Sequence, residues 1–263
     1  MSGSRLVPGS ALGSDAIGWI RSFLGDHPVH RLYFECALDA LAQDVDNRFF
    51  LLDPDRRGLV QSIEFDRQVI ATTVGALSPQ DLAASVPEAA PGELHLEARH
   101  ASALASYCAT RIEEVDTLRY YLLEEGGSDT PDPCCRLLVN DDLGLVSAFF
   151  AAHYPRTIFS AWMLDEPFLG LFEDGELVAA GGTVCRHAGL GAANIGNFLT
   201  HPSRRGRSLA RRLVGSLVAT LRRQGIARFT LGVAESNRRA WRAYEAAGFR
   251  LLESRVQWSL AAP

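Results

Sequence analysis

The chain has 263 residues, 47% of them hydrophobic and 22% charged, with a formal net charge of −5. That is apolar material for two cores of ordinary size, with no apolar run of membrane-spanning length and an acidic total that argues against a nucleic-acid-binding module. All 26 basic residues are arginine and they are unevenly spread: residues 1–130 hold 10 Arg against 20 acidic residues and residues 131–263 hold 16 against 11, so the halves face different partners or each other.

Met1–Ser14 is rich in Gly and Ser and lacks a charged segment leading into an apolar stretch, so it reads as a mobile end and not as a secretory signal. Residues 15–125 are expected to form a first α+β domain. Leu32, Cys36, Ala40 and Leu41 predict a helix over Val29–Val45. Strands at Arg48–Leu52, Leu59–Phe65 and Val69–Val74, joined by Asp53-Pro54-Asp55 and Asp66-Arg67-Gln68, make an antiparallel meander. Ser78–Gly92, with its three prolines, is loop or a broken helix, followed by a strand at Glu93–Leu96, a helix at Ala98–Thr110 and a strand at Asp116–Leu123. Residues 126–133, which run Gly126-Gly127-Ser128-Asp129-Thr130-Pro131-Asp132-Pro133, are the expected linker. The five cysteines include no CxxC pair and no cluster with His at zinc spacing, so they read as reduced cytoplasmic thiols and no metal is expected.

The second domain, 134–263, opens with a strand at Arg136–Val139, a helix from Asp141 or Asp142 to about His153 and a short helix at Thr157–Leu164. Phe168–Phe172 and Leu177–Val184 form a hairpin across Glu173-Asp174-Gly175-Glu176. Then come strand Ala193–Thr200, a helix from about Arg207 to Leu221, strand Arg228–Val233, helix Ser236–Ala247 and strand Phe249–Trp258. FDRQVIATTVG (Phe65–Gly75) and FEDGELVAAGGTV (Phe172–Val184) share an aromatic residue, a charged turn and a similar strand, which leaves open whether the first half is a degenerate copy of the second.

One stretch carries more chemistry than the rest. In Asn194–Leu221, Leu209, Leu213, Leu217 and Leu221 recur every four residues with Ala210, Val214 and Val218 beside them, so an apolar stripe faces a core. The first N–H groups of that helix lack intrahelical partners and sit at its positive end, while Gly206, Ser208 and Ala210 let a ligand approach the backbone closely. Between Leu177 and Ala234 there is no Asp or Glu, and nine arginines fall there. This is a seat for a phosphate or pyrophosphate.

Arg205-x-x-Ser208-x-Ala210 resembles the acyl-CoA-binding signature of the GNAT superfamily of N-acetyltransferases, Gln/Arg-x-x-Gly-x-Gly/Ala, with Ser208 replacing the central glycine. ESNRRAWRAYEAAGFR downstream resembles the superfamily's next block, with Asn237, Tyr244 and Gly248-Phe249 in order. The element order βααβββαβαβ over about 136–260 is that of the same fold, a mixed α+β sheet architecture, with a smaller GNAT-like or α+β N-terminal domain. The resemblance implies an acetyl-CoA-dependent N-acetyltransferase that transfers an acetyl or other acyl group directly to an amine in a ternary complex. The alternative is an inactive acyl-CoA-binding sensor.

By that resemblance, Phe198, Leu199 and Thr200 meet the pantetheine arm and the donor carbonyl through backbone groups. Arg205, Gly206, Arg207, Ser208, Leu209, Ala210 and Arg211 wrap the pyrophosphate, Asn237 caps its helix or touches the pantetheine, and Tyr244 is the general acid for the departing thiolate. Positions that carry a glutamate in many relatives are here Asn194 and Gly232, so the general base stays open among His201, Glu235, Glu166, Glu97 and His100. The expected partners are a small-molecule or peptide amine, without nucleic acid or membrane, in a cytoplasmic monomer or homodimer.

Overall fold

The computed structural model describes residues 6–65, 68–86, 91–126, 130–155 and 157–262. The expected turn at Asp66-Arg67, parts of the 78–92 stretch and of the linker (87–90 and 127–129) and residues 1–5 lie outside them. The fold is mixed α+β. Among the described residues no helix is long and apolar enough to cross a membrane.

In chain order the first elements are β1 (Val7–Pro8), α1 (Ser14–Leu24), α2 (His30–Leu41), β2 (Arg48–Leu52), β3 (Gly58–Phe65), β4 (Gln68–Gly75), α3 (Pro79–Ala84), β5 (Gly92–Leu96), α4 (Ala98–Leu104) and β6 (Ile112–Leu123). They are followed by β7 (Cys135–Leu137), α5 (Leu143–His153), β8 (Phe168–Glu173), β9 (Glu176–His187), β10 (Ala192–Thr200), α6 (Leu209–Arg222), β11 (Arg228–Ala234), α7 (Arg238–Ala246) and β12 (Arg250–Leu260).

Two compact units result, one of Met1–Arg119, Ala234–Ser236 and Glu253–Pro263, the other of Tyr120–Val233 and Asn237–Leu252. The chain thus passes between units at Arg119–Tyr120, upstream of the 126–133 stretch, and its last strand returns to the first unit. There β12 lies antiparallel to β5 with Val256 opposite Leu96 and Leu260 opposite Gly92.

In the first unit β2, β3 and β4 are the expected antiparallel meander, and β4 then runs parallel to β5 from Val69–Gly92 to Thr72–His95. Residues 7–14, expected to be a mobile end, are instead built in: Val7 pairs with Phe50, and Gly9 lies so close beneath Leu41 that a Cβ there would sit 2.8 Å from its Cδ1. The 78–92 stretch contains a true helix, α3, started by Pro79 after a reciprocal capping box between Ser78 and Asp81. Helix α1, with Gly18 inside it, has no counterpart in the expected elements.

Buried polar groups cluster in this unit. Arg255 Nη2 lies 2.7 Å from His30 Nε2, Arg255 Nε donates to Glu253 Oε1 (3.1 Å), and the other end of the guanidinium reaches the Thr73 carbonyl. His27, His30 and Glu253 bring three possible ligand atoms within 4.8 Å of one another. The Arg255 guanidinium already bonds His30 Nε2 and Glu253 and adds a positive charge beside them, so these groups form an ion-pair network.

The second unit has the strand order β6-β11-β10-β9-β8-β7. Strands β8, β9 and β10 are antiparallel, and β10 is parallel to β11. Ala193, Ile195, Leu169 and Leu171 pack with Leu209, Leu213, Val214, Leu217, Val218 and Leu221 of α6 in one core, the stripe read from the sequence. Each such buried side chain contributes roughly 1.5–3 kcal/mol. The expected helix at Thr157–Leu164 is only a 3-10 turn, Ala161–Asp165.

Candidate active site

Strand β10 leaves its neighbour early. Its parallel pairing with β11 covers only Ala192–Arg228, Ala193–Phe229 and Asn194–Thr230. Along β9 the register slips between Gly196, opposite Gly182, and Leu199, opposite Ala180, which places one extra residue on β10. Asn197 absorbs that residue with a left-handed φ of 53°. The strand bends there, and a fork opens between β10 and β11.

The ladder fixes what the fork offers. His201 N–H donates to Val178 O (2.8 Å), and His201 continues the register in which Thr200 lies opposite Ala179 and Leu199 opposite Ala180. Antiparallel strands alternate bonded and non-bonded pairs, so Leu199 spends its backbone groups on β9, and those of Phe198 and Thr200 face the open side. The backbone groups of Phe198 and Thr200 thus face the fork, and those of Leu199, expected as an alternative to Thr200 at the donor carbonyl, face β9. The bulge also turns the Phe198 ring onto the α6 face, where it fills the space above Gly181 and lies 6.0 Å from the Tyr244 ring.

Beyond Thr200 the chain makes a 3-10 turn and enters α6 at Leu209, two residues later than expected. The cause is Ser208, whose φ of 58° is left-handed and whose hydroxyl makes no capping bond. The serine in the glycine position of the motif thus keeps the backbone shape that glycine takes without strain. Gly206 is left-handed too (φ 81°), with nothing within 4 Å of where a Cβ would be. Arg204 N–H bonds His201 O and Arg212 N–H bonds Ser208 O, whereas the amides from Gly206 to Arg211 have no backbone acceptor among the described residues. A run of unsatisfied donors at a helix start, with no acidic residue in its first turn, is an anion seat.

Its arginines are partly engaged. Arg207 Nη1 donates to Glu173 Oε2 (2.7 Å), Arg204 lies 3.9 Å from the same oxygen, and Arg205 Nε donates to Thr200 O (3.3 Å). Arg211 is exposed beside the seat, and Arg212 turns away to Asp132 (2.7 Å).

Tyr244, on α7, is buried between Phe198 and Phe249. Burial pushes its phenol above its ordinary range, with a smaller contribution from the nearby Tyr154, so it stays protonated at neutral pH. Asn237 caps α7 by accepting from Ala240 N–H (3.3 Å). Gly248 (φ 97°) ends it, with Phe249 N–H bonded to Tyr244 O (3.1 Å) as in a Schellman turn.

The candidate bases are engaged, except that His100 keeps an unpartnered Nε2. His201 Nδ1 accepts from the amide and hydroxyl of Ser203 (3.3 and 2.8 Å), so its lone pair is in use. Glu166 is bonded to Arg186, and Glu235, in the first unit, to Arg119 at 3.3 Å. Also in that unit, Glu97 accepts from Gly75 N–H and His100 is buried against Thr73 Oγ1 (2.8 Å). Asn194 is buried too, its Nδ2 donating to Thr230 Oγ1 (3.0 Å) at the last paired position before the fork. Sequence reasoning gave that pair no role, because only the register shows that the two side chains meet where the strands part.

Comparison with known proteins agrees with this geometry. Residues 137–249 match the acetyltransferase (GNAT) family. A protein from Novosphingobium aromaticivorans assigned to GNAT acetyltransferases is 22% identical, with 78% of this chain and 88% of that one covered and a TM-score of 0.60. A Drosophila protein is 13% identical over 98% and 99%, with a TM-score of 0.71. A tandem GNAT protein from the clavulanic acid biosynthesis pathway is 13% identical over 98% and 99%, with a TM-score of 0.58. At these identities the likeness is one of fold. No curated protein sequence matches the chain.

Proposed function

We propose that the protein, whose residues 137–249 match the acetyltransferase (GNAT) family, transfers an acetyl group from acetyl-CoA to an amine of a small molecule or peptide by direct attack. One observation carries the reading: the fork and the uncapped helix start are consecutive on the chain, from Phe198 to Arg211. An extended arm can add to the open edge of β10 while its pyrophosphate meets the amides of α6.

In this reading the backbones of Phe198 and Thr200 orient the pantetheine. The amides from Gly206 to Arg211 hold the diphosphate, and Arg205 and Arg207 exchange their present acceptors, Thr200 O and Glu173, for phosphate oxygens. The dry surroundings of Tyr244 keep a proton on its phenol oxygen, ready for the departing sulfur.

Thermal unfolding with acetyl-CoA, followed by free-thiol release on adding amines, tests the whole. Ligand at 100 times its dissociation constant raises stability by about 2.7 kcal/mol, and thiol release separates a transferase from a binding protein. In Tyr244→Phe, turnover falls about 100-fold or more with acetyl-CoA affinity retained. An equal loss of both would assign Tyr244 to binding or packing.

A further inference from the structure

The inner end of the fork is closed by two neutral side chains. Asn194 and Thr230 form its last paired position, and their side chains are bonded to each other. Ala193 and Ile195 pack with α6, so by strand alternation Asn194 faces the opposite side of the sheet. Gly232, two residues beyond Thr230 on β11, shares that side and carries no functional group.

The cover of that side is apolar. Phe168 packs over Gly182, and Phe150 and Phe159 stack against each other (5.2 Å) with Phe168 beside both. Asn197, at the bulge, turns its amide to the Met163 sulfur. Phe150 and Phe168 are fully buried, so this cover brings no charged group to the inner end of the fork.

Among the described residues, the titratable groups around this side include the buried Tyr120 of β6, the strand beside β11. From β9 comes Cys185, opposite Asn194, and from the segment after α5 comes Glu166, paired with Arg186. His153, at the end of α5, lies edge-on against His201, which caps Ser203. Across the sheet stands Tyr244, protonated and therefore an acid.

Resting on the transferase reading above, we infer that the acceptor is a weakly basic amine that reaches the fork already neutral, such as an α-amino group or an arylamine, and that no carboxylate or imidazole of the second unit deprotonates it. The amine lone pair forms the new C–N bond as the C–S bond breaks, the sulfur takes the Tyr244 proton, the cationic nitrogen of the product releases its extra proton to solvent, and the tyrosinate takes one proton back from solvent, which restores the phenol. At pH 7 roughly one α-amino group in seven is neutral, against about one ε-amino group in 2,500.

The test is the pH profile of kcat/KM, followed by thiol release from acetyl-CoA, for a panel of peptide α-amines, arylamines and lysine-type ε-amines, with Cys185→Ser beside the natural protein. The expected profile rises with unit slope to the pKa of each acceptor, so that the break moves by about 2.6 pH units between α- and ε-amines, and Cys185→Ser leaves it in place. A common break below both acceptor pKa values overturns the inference, because it reports a base on the protein; a break abolished by Cys185→Ser overturns it by naming that base. Absence of thiol release from every amine, while acetyl-CoA still stabilises the fold, overturns the transferase reading itself and the inference with it.

Discussion

The two units place a helix start at the same point of the same topology, and they finish it in opposite ways. In each, the third strand of an antiparallel meander leads into a helix and then into a parallel strand: β4, α3 and β5 in the first, β10, α6 and β11 in the second. At α3, Pro79 removes one free amide, Ser78 Oγ accepts from Asp81 N–H (3.2 Å), and Asp81 Oδ2 accepts from Ser78 N–H (3.1 Å). At α6 there is no cap, no acid and no proline, and two left-handed residues precede the first turn. The first helix start satisfies itself; the second is left for a ligand.

Making α6 resemble α3 breaks the comparison most severely. Ala210→Asp puts a carboxylate in the first turn, where Asp81 stands in α3. Acetyl-CoA affinity is expected to fall by two orders of magnitude or more, while the unfolding temperature without ligand stays the same or rises, because an acid suits a helix start. Unchanged affinity by calorimetry would place the seat elsewhere.

Acid sharpens the contrast from the other unit. Burial lowers the His30 imidazole from its ordinary 6.5 to about 4, with Arg255 pushing the same way against Glu253. Between those values the unfolded chain takes a proton that the folded one refuses. Stability is therefore complete above about pH 6.5 and declines as pH falls towards 4, by about 3 kcal/mol. Glu253, held well below the usual carboxylate range by His27, His30 and Arg255 against the opposing effect of burial, adds a further loss as pH drops below its ordinary value. Amide exchange at pH 7 and pH 5 should show the first unit loosening, and equal loosening of both units would refute this assignment. His30→Gln should flatten the dependence.

Removing the cap of α3 is a smaller change. Ser78→Ala is expected to cost about 1 kcal/mol, read as a lower unfolding midpoint with acetyl-CoA affinity intact. A change in that affinity would mean that the first helix start also serves the ligand.

What the sequence made legible follows from periodicity and turn chemistry. The stripe of α6, the hairpin over residues 168–187 and the Asn237–Gly248 helix are local patterns that the chain writes out directly. The fork was not legible, since a bulge is a mismatch between two strands and neither alone displays it. Nor was the destination of β12, which reads as the end of the second half and whose later residues pair with β5. The echo between Phe65–Gly75 and Phe172–Val184 matched strands of different rank: β4 corresponds in the topology to β10, while the second segment lies on β8 and β9. Any charged turn between apolar strands produces that likeness, and what the two units share is the pairing order, not those residues.

The least perturbing test concerns the one residue where the motif departs from its pattern. Ser208 sits at φ 58° with its hydroxyl uncommitted to any capping bond, so serine bears the cost of a left-handed backbone that glycine adopts freely. Ser208→Gly removes that cost but adds freedom to the unfolded chain, and the two effects nearly cancel, leaving a stability change within about 0.5 kcal/mol. The affinity for acetyl-CoA separates two roles. If the backbone shape is all that matters, the variant binds as well as the natural protein; if the hydroxyl donates to a phosphate oxygen, binding weakens by about tenfold, the loss of one hydrogen bond to a charged group. Because α3 has a serine at the same point whose hydroxyl is already bonded to Asp81 (2.7 Å), a tenfold loss at Ser208 would show that the free hydroxyl, and not the serine as such, distinguishes the two helix starts.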